Sequence, residues 1–424
     1  MLWVGAFLPI VATVSKTTEE VTAGVGVLEV IRGAGPAALF LLSLLVTPHR
    51  GEKRTPAFAE FWIGLFLAIA AASALWSSHS TATALKCIPL IFAYLCMMRI
   101  AKLYPAPVDA IGGVVTVAHV LMLSTLVQWV LIPERAYSAD VGDVIPRLGS
   151  LYPAISPNLL GVVALVALTG AVLQVGPKIT HSPLAALALG AAYVVMLFSS
   201  RSRIATAIAL AVVVVAALIA MHKTMLRTAA GWFIGAAAVF VAYIAALQTT
   251  IVANFTEFLV RGQDSHAITS LTGRTVIWDR ALAIWSENPV AGYGYYSGHR
   301  LFLPSVDALF RGYSNLDSTW IETLVNLGYL GLVPLALFAC AALIRVVNVK
   351  LPRPEKFVAV GLVAAVLALS FVNPTIQTAS STAILFGVIV FACRPDASKS
   401  PGAARAHLPD VNRHLHERSP VAAT

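Results

Sequence analysis

The chain has 424 residues, of which 58% are apolar and only 12% charged, and its formal net charge at pH 7 is +9. A soluble domain of average composition carries about a quarter charged residues, so this chain lacks the side chains needed to cover a water-exposed surface. The composition excludes an ordinary globular enzyme, a disordered chain and a basic nucleic-acid-binding protein. The basic residues stand in short clusters between apolar runs, which is typical of a multi-pass membrane protein.

The apolar runs are long enough to cross a membrane many times. A spanning helix needs about 20 apolar residues, and the sequence therefore predicts an all-α polytopic membrane protein with about twelve transmembrane helices. Because the first run is short and has no Lys or Arg before it, eleven spans are the alternative. The predicted spans, in chain order, are residues 1–15, 24–46, 57–75, 84–98, 107–132, 154–176, 183–199, 204–221, 229–247, 317–345, 357–372 and 380–393.

Basic residues divide the short loops into two sets. One alternating set holds twelve, namely Arg50, Lys53, Arg54, Arg99, Lys102, Lys178, Lys223, Arg227, Arg345, Lys350, Arg353 and Lys356. The opposite set holds five, namely Lys16, Arg135, Arg147, Arg201 and Arg203. Since cytoplasmic loops are enriched in Lys and Arg, the first set is predicted to face the cytoplasm. Residues 1–394 would then form one transmembrane domain with a large extracytoplasmic loop at 248–316, followed by a disordered cytoplasmic tail at 395–424.

Two arginines lie at the predicted outer mouth between the seventh and eighth spans. Arg201 and Arg203 occur in FSSRSRIATA, where positive charge opposes the usual bias toward the cytoplasm. They could be arginines that reach to the membrane interface. Alternatively, their guanidinium groups form an outward-facing anion site, because such groups bind phosphate with two hydrogen bonds.

The large loop contains the segment SLTGRTVIWDRALAIWSENPVAGYGYYSGHR. Its apolar residues recur at helical spacing, with Thr272 as a candidate N-cap and Asn288-Pro289 as the end of the helix. An amphipathic helix that carries Trp278 suits the membrane interface. Arg274 lies in the first turn, where the helix dipole disfavours a cation unless an anion is bound nearby. The alternative is a solvated surface arginine.

Two further segments place polar residues at the predicted outer face. Asp317 and Glu322 begin the span after the loop, where Asp317 could accept a proton or simply cap the helix. Arg147 and Asn158 lie in PRLGSLYPAISPNLLG, just before the sixth span enters the membrane. Several cations with one carboxylate fit a pyrophosphate-bearing substrate and an alcohol acceptor. The predicted outer loops contain no DxD motif or acidic cluster with metal-ligand spacing, so neither a metal nor a cofactor is predicted.

An ordered set of motifs along nearly the whole chain resembles the O-antigen ligase/polymerase superfamily of integral membrane glycosyltransferases. The most specific motif is LTGRTVIWDRALAIWSENPVAGYGY at 271–295, and the branch it resembles most is the exopolysaccharide polymerases. The other motifs are ALWSS at 74–78, RLGSLYPAISPNLLG at 147–161, SSRSR at 199–203 and WIETLVNLGYLGL at 320–332.

This resemblance implies a bacterial inner-membrane enzyme that acts on the extracytoplasmic face upon glycans linked to undecaprenyl pyrophosphate. It implies that Arg203 and Arg274 bind the pyrophosphate, with Arg201 beside them. The family usually has His-Asn where this chain has Asp317-Ser318, and Asp317 would then be the general base. Arg147, Asn158, Trp278 and Glu322 are the remaining substrate-binding candidates. Membrane lipids are expected partners, a flippase and a chain-length regulator are further candidates, and nucleic acid is not.

The preferred function is metal-independent polymerisation of lipid-linked repeat units into a cell-surface polysaccharide, either an exopolysaccharide or an O-antigen. A ligase would instead move the finished glycan to a lipid A core sugar or another acceptor. A lipid-glycan flippase or other transporter is the rival from a different class, but carriers place ionisable groups near the bilayer midplane and often show repeated halves. A non-catalytic scaffold or chain-length regulator is the last alternative.

Overall fold

The computed structural model describes residues 37–38, 40–45, 58–138, 147–151, 154–176, 183–202, 205–207, 274–298 and 316–394. The predicted spans at 1–15 and 229–247, most of those at 24–46 and 204–221, much of the large loop and the tail at 395–424 lie outside these residues. The helices of the described part are α1 (Phe58–Ala72), α2 (Ser80–Leu103), α3 (Pro107–Leu131), α4 (Pro133–Ala136), α5 (Pro157–Leu173), α6 (Pro183–Ser199), α7 (Arg274–Trp285), α8 (Thr319–Asn348), α9 (Arg353–Ser370) and α10 (Ser381–Ala392).

The chain is a mostly helical membrane protein. Within the described residues, four helices are long and apolar enough to cross a membrane, namely Phe58–Leu75, α2, α3 and α8. They display large apolar side chains at the surface, as expected of helices that face lipid, including Leu65, Ile88, Val130 and Val333. The predicted total of about twelve spans, or eleven, stays a prediction.

Most of the helices pack into one apolar core. α8 packs against α1 and α9, α10 lies against α2 and α3, and α5 contacts α3, α6 and α9. Four aromatic side chains from α2, α8 and α10 meet in this core with ring centroids about 6 Å apart, namely Tyr94, Phe338, Phe386 and Phe391. This packing fixes the positions of the helix ends, which carry the polar groups.

Two short antiparallel strand pairs, which the sequence analysis did not predict, precede α5. The first pairs Tyr137–Ser138 with Arg147–Leu148, and the second pairs Ser150–Leu151 with Ala154–Ile155. The predicted span at 154–176 therefore begins later, at Pro157, whose fixed φ suits the first position of a helix. These strands hold Arg147 beside the start of α5.

A buried ion cluster joins α1, α8 and the end of α10. Arg345 donates from Nη1 and Nη2 to the two carboxylate oxygens of Glu60, at 3.0 and 2.6 Å, and Arg394 lies 3.0 Å from the same carboxylate. We call Glu60, Arg345 and Arg394 the inner ion cluster. The prediction that Arg345 is a loop residue is wrong, because α8 continues to Asn348 and the side chain of Arg345 is 6% exposed. By the charge bias of the loops, this end of the bundle is predicted to face the cytoplasm.

Candidate active site

Helix α8 is broken near its predicted outer end. Gly328 has φ 58° and ψ −156°, a conformation that is essentially limited to glycine. The break leaves backbone donors and acceptors of α8 without intrahelical partners, and a buried group of this kind costs free energy. A second segment of the chain must therefore satisfy them.

The segment 288–298, which follows α7, supplies these hydrogen bonds. Pro289 and Val290 accept from the backbone N–H groups of Tyr329 and Leu330, both at 3.0 Å. The backbone N–H groups of Tyr293 and Gly294 donate to Val325 and Asn326, at 3.2 and 2.7 Å respectively. The PVAGYGY part of the most specific sequence motif therefore satisfies backbone groups of α8 next to the break. We call residues 288–298 the docking segment.

The ALWSS motif and residues close to it hold the other side of this docking segment. The indole Nε1 of Trp76 donates to the carbonyl oxygen of Ala291 at 3.1 Å. The hydroxyl of Ser73 accepts from the backbone N–H of Tyr295 at 2.9 Å, and the hydroxyl of Thr83 donates to the carbonyl oxygen of Tyr295 at 2.8 Å. Two motifs more than 200 residues apart therefore form one structural unit.

Helix α7 begins at Arg274, as the large-loop motif predicts, and packs against α8. Ile277, Ala281 and Ile284 are buried there against Leu316 and Val325. The predicted N-cap Thr272 and the side chain of Arg274 lie outside the described residues.

Trp278 was predicted to bind substrate, and its indole Nε1 donates to the carbonyl oxygen of Leu316 at 2.8 Å. This hydrogen bond fixes the chain immediately before Asp317.

Asp317 precedes the first turn of α8 and has a left-handed φ of 49°. The possibility that it caps this helix is wrong, because the N-cap is Ser318, whose hydroxyl accepts from the backbone N–H of Ile321 at 3.4 Å. The hydroxyl therefore takes the cap role, and the Asp317 carboxylate, on a half-buried residue, is not used as the cap. Glu322, one turn further, is buried and only 4% exposed.

A chain of hydrogen bonds connects the region before α5 to the beginning of α8. Arg147, which is 3% exposed, donates from Nη2 to Oδ1 of Asn158 and from Nε to the carbonyl oxygen of Ser200 at 3.2 Å. Asn158 donates from Nδ2 to Oδ1 of Asn373 at 3.0 Å, and the backbone carbonyl of Asn373 accepts from the hydroxyl of Thr319 at 3.0 Å. We call Arg147, Asn158, Asn373 and Thr319 the polar chain.

The polar chain brings several predicted residues to one end of the bundle. Arg147 and Asn158 belong to it, Arg201 follows Ser200, and Asp317 stands two residues before Thr319. Arg201 has a left-handed φ of 50°, so the turn after α6 is sharp. Arg203 lies outside the described residues.

Sequence reasoning missed Asn373. It lies in FVNPTIQTASS between α9 and α10, and the only signal was an Asn-Pro turn with several polar residues between two apolar runs. In the sequence the turn indicates a loop. Its contact with Asn158, which is 215 residues away in the chain, depends on the helix packing.

Residues 185–336 match the model of a family described as O-antigen ligase. This part of the chain is similar to that family, in agreement with the resemblance to the O-antigen ligase/polymerase superfamily. The match runs from α6 into α8, so it includes Arg201, Arg274, Asp317 and the break at Gly328. No curated protein matches the chain at a significant level.

The match supports the resemblance seen in the motifs, and with it a multi-pass membrane ligase or polymerase of the broad kind. The exopolysaccharide branch stays a prediction. In the part of the chain that the structure describes, no group of three His, Cys, Asp or Glu side chains is placed to hold a metal ion. That the reaction needs no metal is likewise still a prediction.

Proposed function

We propose that the chain is an inner-membrane polymerase that joins repeat units carried on undecaprenyl pyrophosphate, on the extracytoplasmic face, into a cell-surface polysaccharide. The observation that supports this best is the polar chain, which links the arginine-bearing segments before α5 and after α6 to the helix end where Asp317 stands. This arrangement of polar groups at one end of the bundle supports a site there for anion binding and proton transfer.

In the proposed reaction, a hydroxyl of the acceptor sugar attacks the anomeric carbon of the donor glycan. The bond between that carbon and the pyrophosphate oxygen breaks, and the pyrophosphate leaves on its lipid. Arg203 and Arg274, with Arg201 beside them, stabilise the negative charge that develops on the departing group. Asp317 takes the proton of the attacking hydroxyl, in the position where the family usually has His.

The location of the site on the extracytoplasmic face is tested by reporter fusions. A reporter that is active only outside the cytoplasm should be active when it is fused after Gln263 and inactive when it is fused after Arg353. The opposite result at either position would contradict the assignment of the Asp317 end to the outer face.

The reaction is tested with the purified chain in lipid vesicles and a lipid-linked repeat unit as the sole substrate. A ladder of products differing by one repeat is expected of a polymerase. A single transfer, seen only after a lipid A core acceptor is added, would replace the polymerase with a ligase. If neither product forms and the lipid-linked unit instead moves across the membrane, the chain is a transporter and the proposed function is wrong.

A further inference from the structure

Asn373 presents a hydrogen-bond donor whose direction is fixed by its neighbours. A guanidinium group can only donate, so the atom of Asn158 that faces Arg147 must be its oxygen. The amide nitrogen of Asn158 then faces Asn373 and requires an acceptor there, which fixes the Asn373 oxygen in the contact. Neither amide can be turned over without losing a hydrogen bond, and the Nδ2 group of Asn373 must point away from Asn158.

The Nδ2 group of Asn373 makes no hydrogen bond with any side chain or backbone group in the described part of the chain. Asn373 is half-buried, and its Nδ2 atom is not one of the fully buried polar atoms that have no partner in this part of the chain. The backbone of Asn373 is held separately, because its carbonyl accepts from Thr319 and the hydroxyl of Thr319 accepts from the N–H of Thr375, both at 3.0 Å. An oriented amide donor on a fixed backbone is therefore presented beside the cationic segments of the site.

The same turn contains a second amide with unmet hydrogen-bonding capacity. Gln377 is 2% exposed, and neither its Oε1 nor its Nε2 has a partner among the described residues. A buried polar group without a partner costs about 1–3 kcal/mol, and such groups often mark sites that a ligand or water completes. The turn between α9 and α10 thus has more polar groups than the fold itself uses.

We infer that Asn373 is a substrate-binding residue, whose Nδ2 group donates a hydrogen bond to a pyrophosphate oxygen of the lipid-linked donor. An anionic oxygen is the expected partner because the polar chain begins at the guanidinium group of Arg147, and Arg201 directly follows Ser200, which Arg147 contacts. This inference rests on the proposed function, since it assigns a further contact to the same donor site. It extends the site to the turn between α9 and α10, beyond the region that matches the family model.

Two substitutions separate a substrate contact from a structural role. Asn373→Asp keeps an oxygen that accepts from Asn158, but it replaces the donor group with a negative charge that repels pyrophosphate. Asn373→Ala removes both interactions without adding charge. If Asn373 contacts the donor, Asn373→Asp should raise the KM for the lipid-linked donor roughly 10–100-fold and by more than Asn373→Ala does, with a smaller change in kcat. If Asn373 only supports Asn158, Asn373→Asp will be milder than Asn373→Ala, and the inference is wrong.

A binding measurement distinguishes failure of this inference from failure of the proposed function. The probes are undecaprenyl pyrophosphate and undecaprenyl monophosphate, and the readout is the thermal stabilisation of the detergent-solubilised chain. The wild type should be stabilised more by the pyrophosphate, and this difference should disappear in Asn373→Asp. Asn348→Asp, at the exposed far end of α8, is the matched control and should retain the difference. If the difference persists in Asn373→Asp, the inference fails whatever reaction the chain catalyses. If the difference disappears in Asn373→Asp but the wild type transfers no glycan, the inference stands and only the proposed reaction is wrong.

Discussion

The two ends of helix α8 show how the same bundle holds charge in two different ways. At one end Arg345 is buried in the inner ion cluster, where Glu60 accepts from both terminal nitrogens of the arginine. At the other end Arg147 is buried against neutral oxygens of Asn158 and Ser200. The Glu60 carboxylate neutralises Arg345, whereas these contacts of Arg147 are made to uncharged oxygens. We propose that the first end stabilises the bundle and that the second end binds the anionic substrate.

Asp317→Asn should produce the largest effect on activity. Asn keeps the shape of the side chain but cannot accept a proton, so we expect transfer to stop while the lipid-linked donor still binds. Asp317→His should retain part of the activity, because it restores the residue that the family usually has. Asp279→Asn, on an exposed position of α7, is the matched control and should transfer at the wild-type rate. Normal ladder formation by Asp317→Asn would make Glu322, or the arginines alone, the better explanation.

Lysine substitutions at Arg203 and Arg274 should reduce transfer less severely. Lysine keeps the positive charge but loses the planar fork that makes two hydrogen bonds to phosphate. Loss of one such contact in a transition state lowers the rate by roughly 10²–10³-fold. The initial rate of ladder formation per unit of protein measures this effect, with Arg280→Lys on the exposed surface of α7 as the control. Wild-type rates from both variants would remove these arginines from the mechanism.

Glu60→Gln should reduce stability rather than catalysis. It leaves Arg345 buried without its counter-ion, and the removal of one partner from a buried ion pair costs about 3 kcal/mol or more. The thermal unfolding midpoint in detergent should fall, while Glu134→Gln at an exposed position should leave it unchanged. An unchanged midpoint in Glu60→Gln would mean that the inner ion cluster does not stabilise the bundle.

Trp76→Phe should have the smallest effect. It removes one hydrogen bond from the docking segment, worth about 1 kcal/mol, while leaving the aromatic ring in place. Amide hydrogen exchange at residues 289–295 should become faster in this variant. Trp62→Phe is the control, since its indole nitrogen has no hydrogen-bond partner among the described residues. Unchanged exchange in Trp76→Phe would show that the ALWSS motif does not hold the segment.

The sequence was sufficient to predict helices from long apolar runs. α3 at Pro107–Leu131 and α6 at Pro183–Ser199 agree closely with the predicted spans. The break at Gly328 was not predicted, because hydropathy is continuous through LVNLGYLGLVPLAL and a glycine in such a run does not reveal its φ. The docking of GYGY onto this break also needs Ser73 and Trp76, which follow α1, and Thr83 of α2, and a local pattern does not bring these residues together.

The candidate site was predictable to the extent that charge at the outer mouths is unusual. This argument found Arg147, Arg201 and Asp317. It did not find Asn373 or the pairing of Glu60 with Arg345, which are 285 residues apart, because these contacts depend on which helices are neighbours. An uncharged residue such as Asn373 does not stand out among apolar residues as a charged one does, so only the packing of the helices shows its role.

The most direct test compares glycan transfer per folded molecule for Asp317→Asn and Glu60→Gln in the same vesicles. It tests whether the Asp317 end of the bundle carries the chemistry and the Glu60 end its stability. The amount of folded protein is first determined for each variant by its soluble, monodisperse fraction in detergent. We predict no transfer by folded Asp317→Asn and a wild-type rate for the smaller population of folded Glu60→Gln. Equal losses per folded molecule, or transfer by Asp317→Asn at the wild-type rate, would contradict this account.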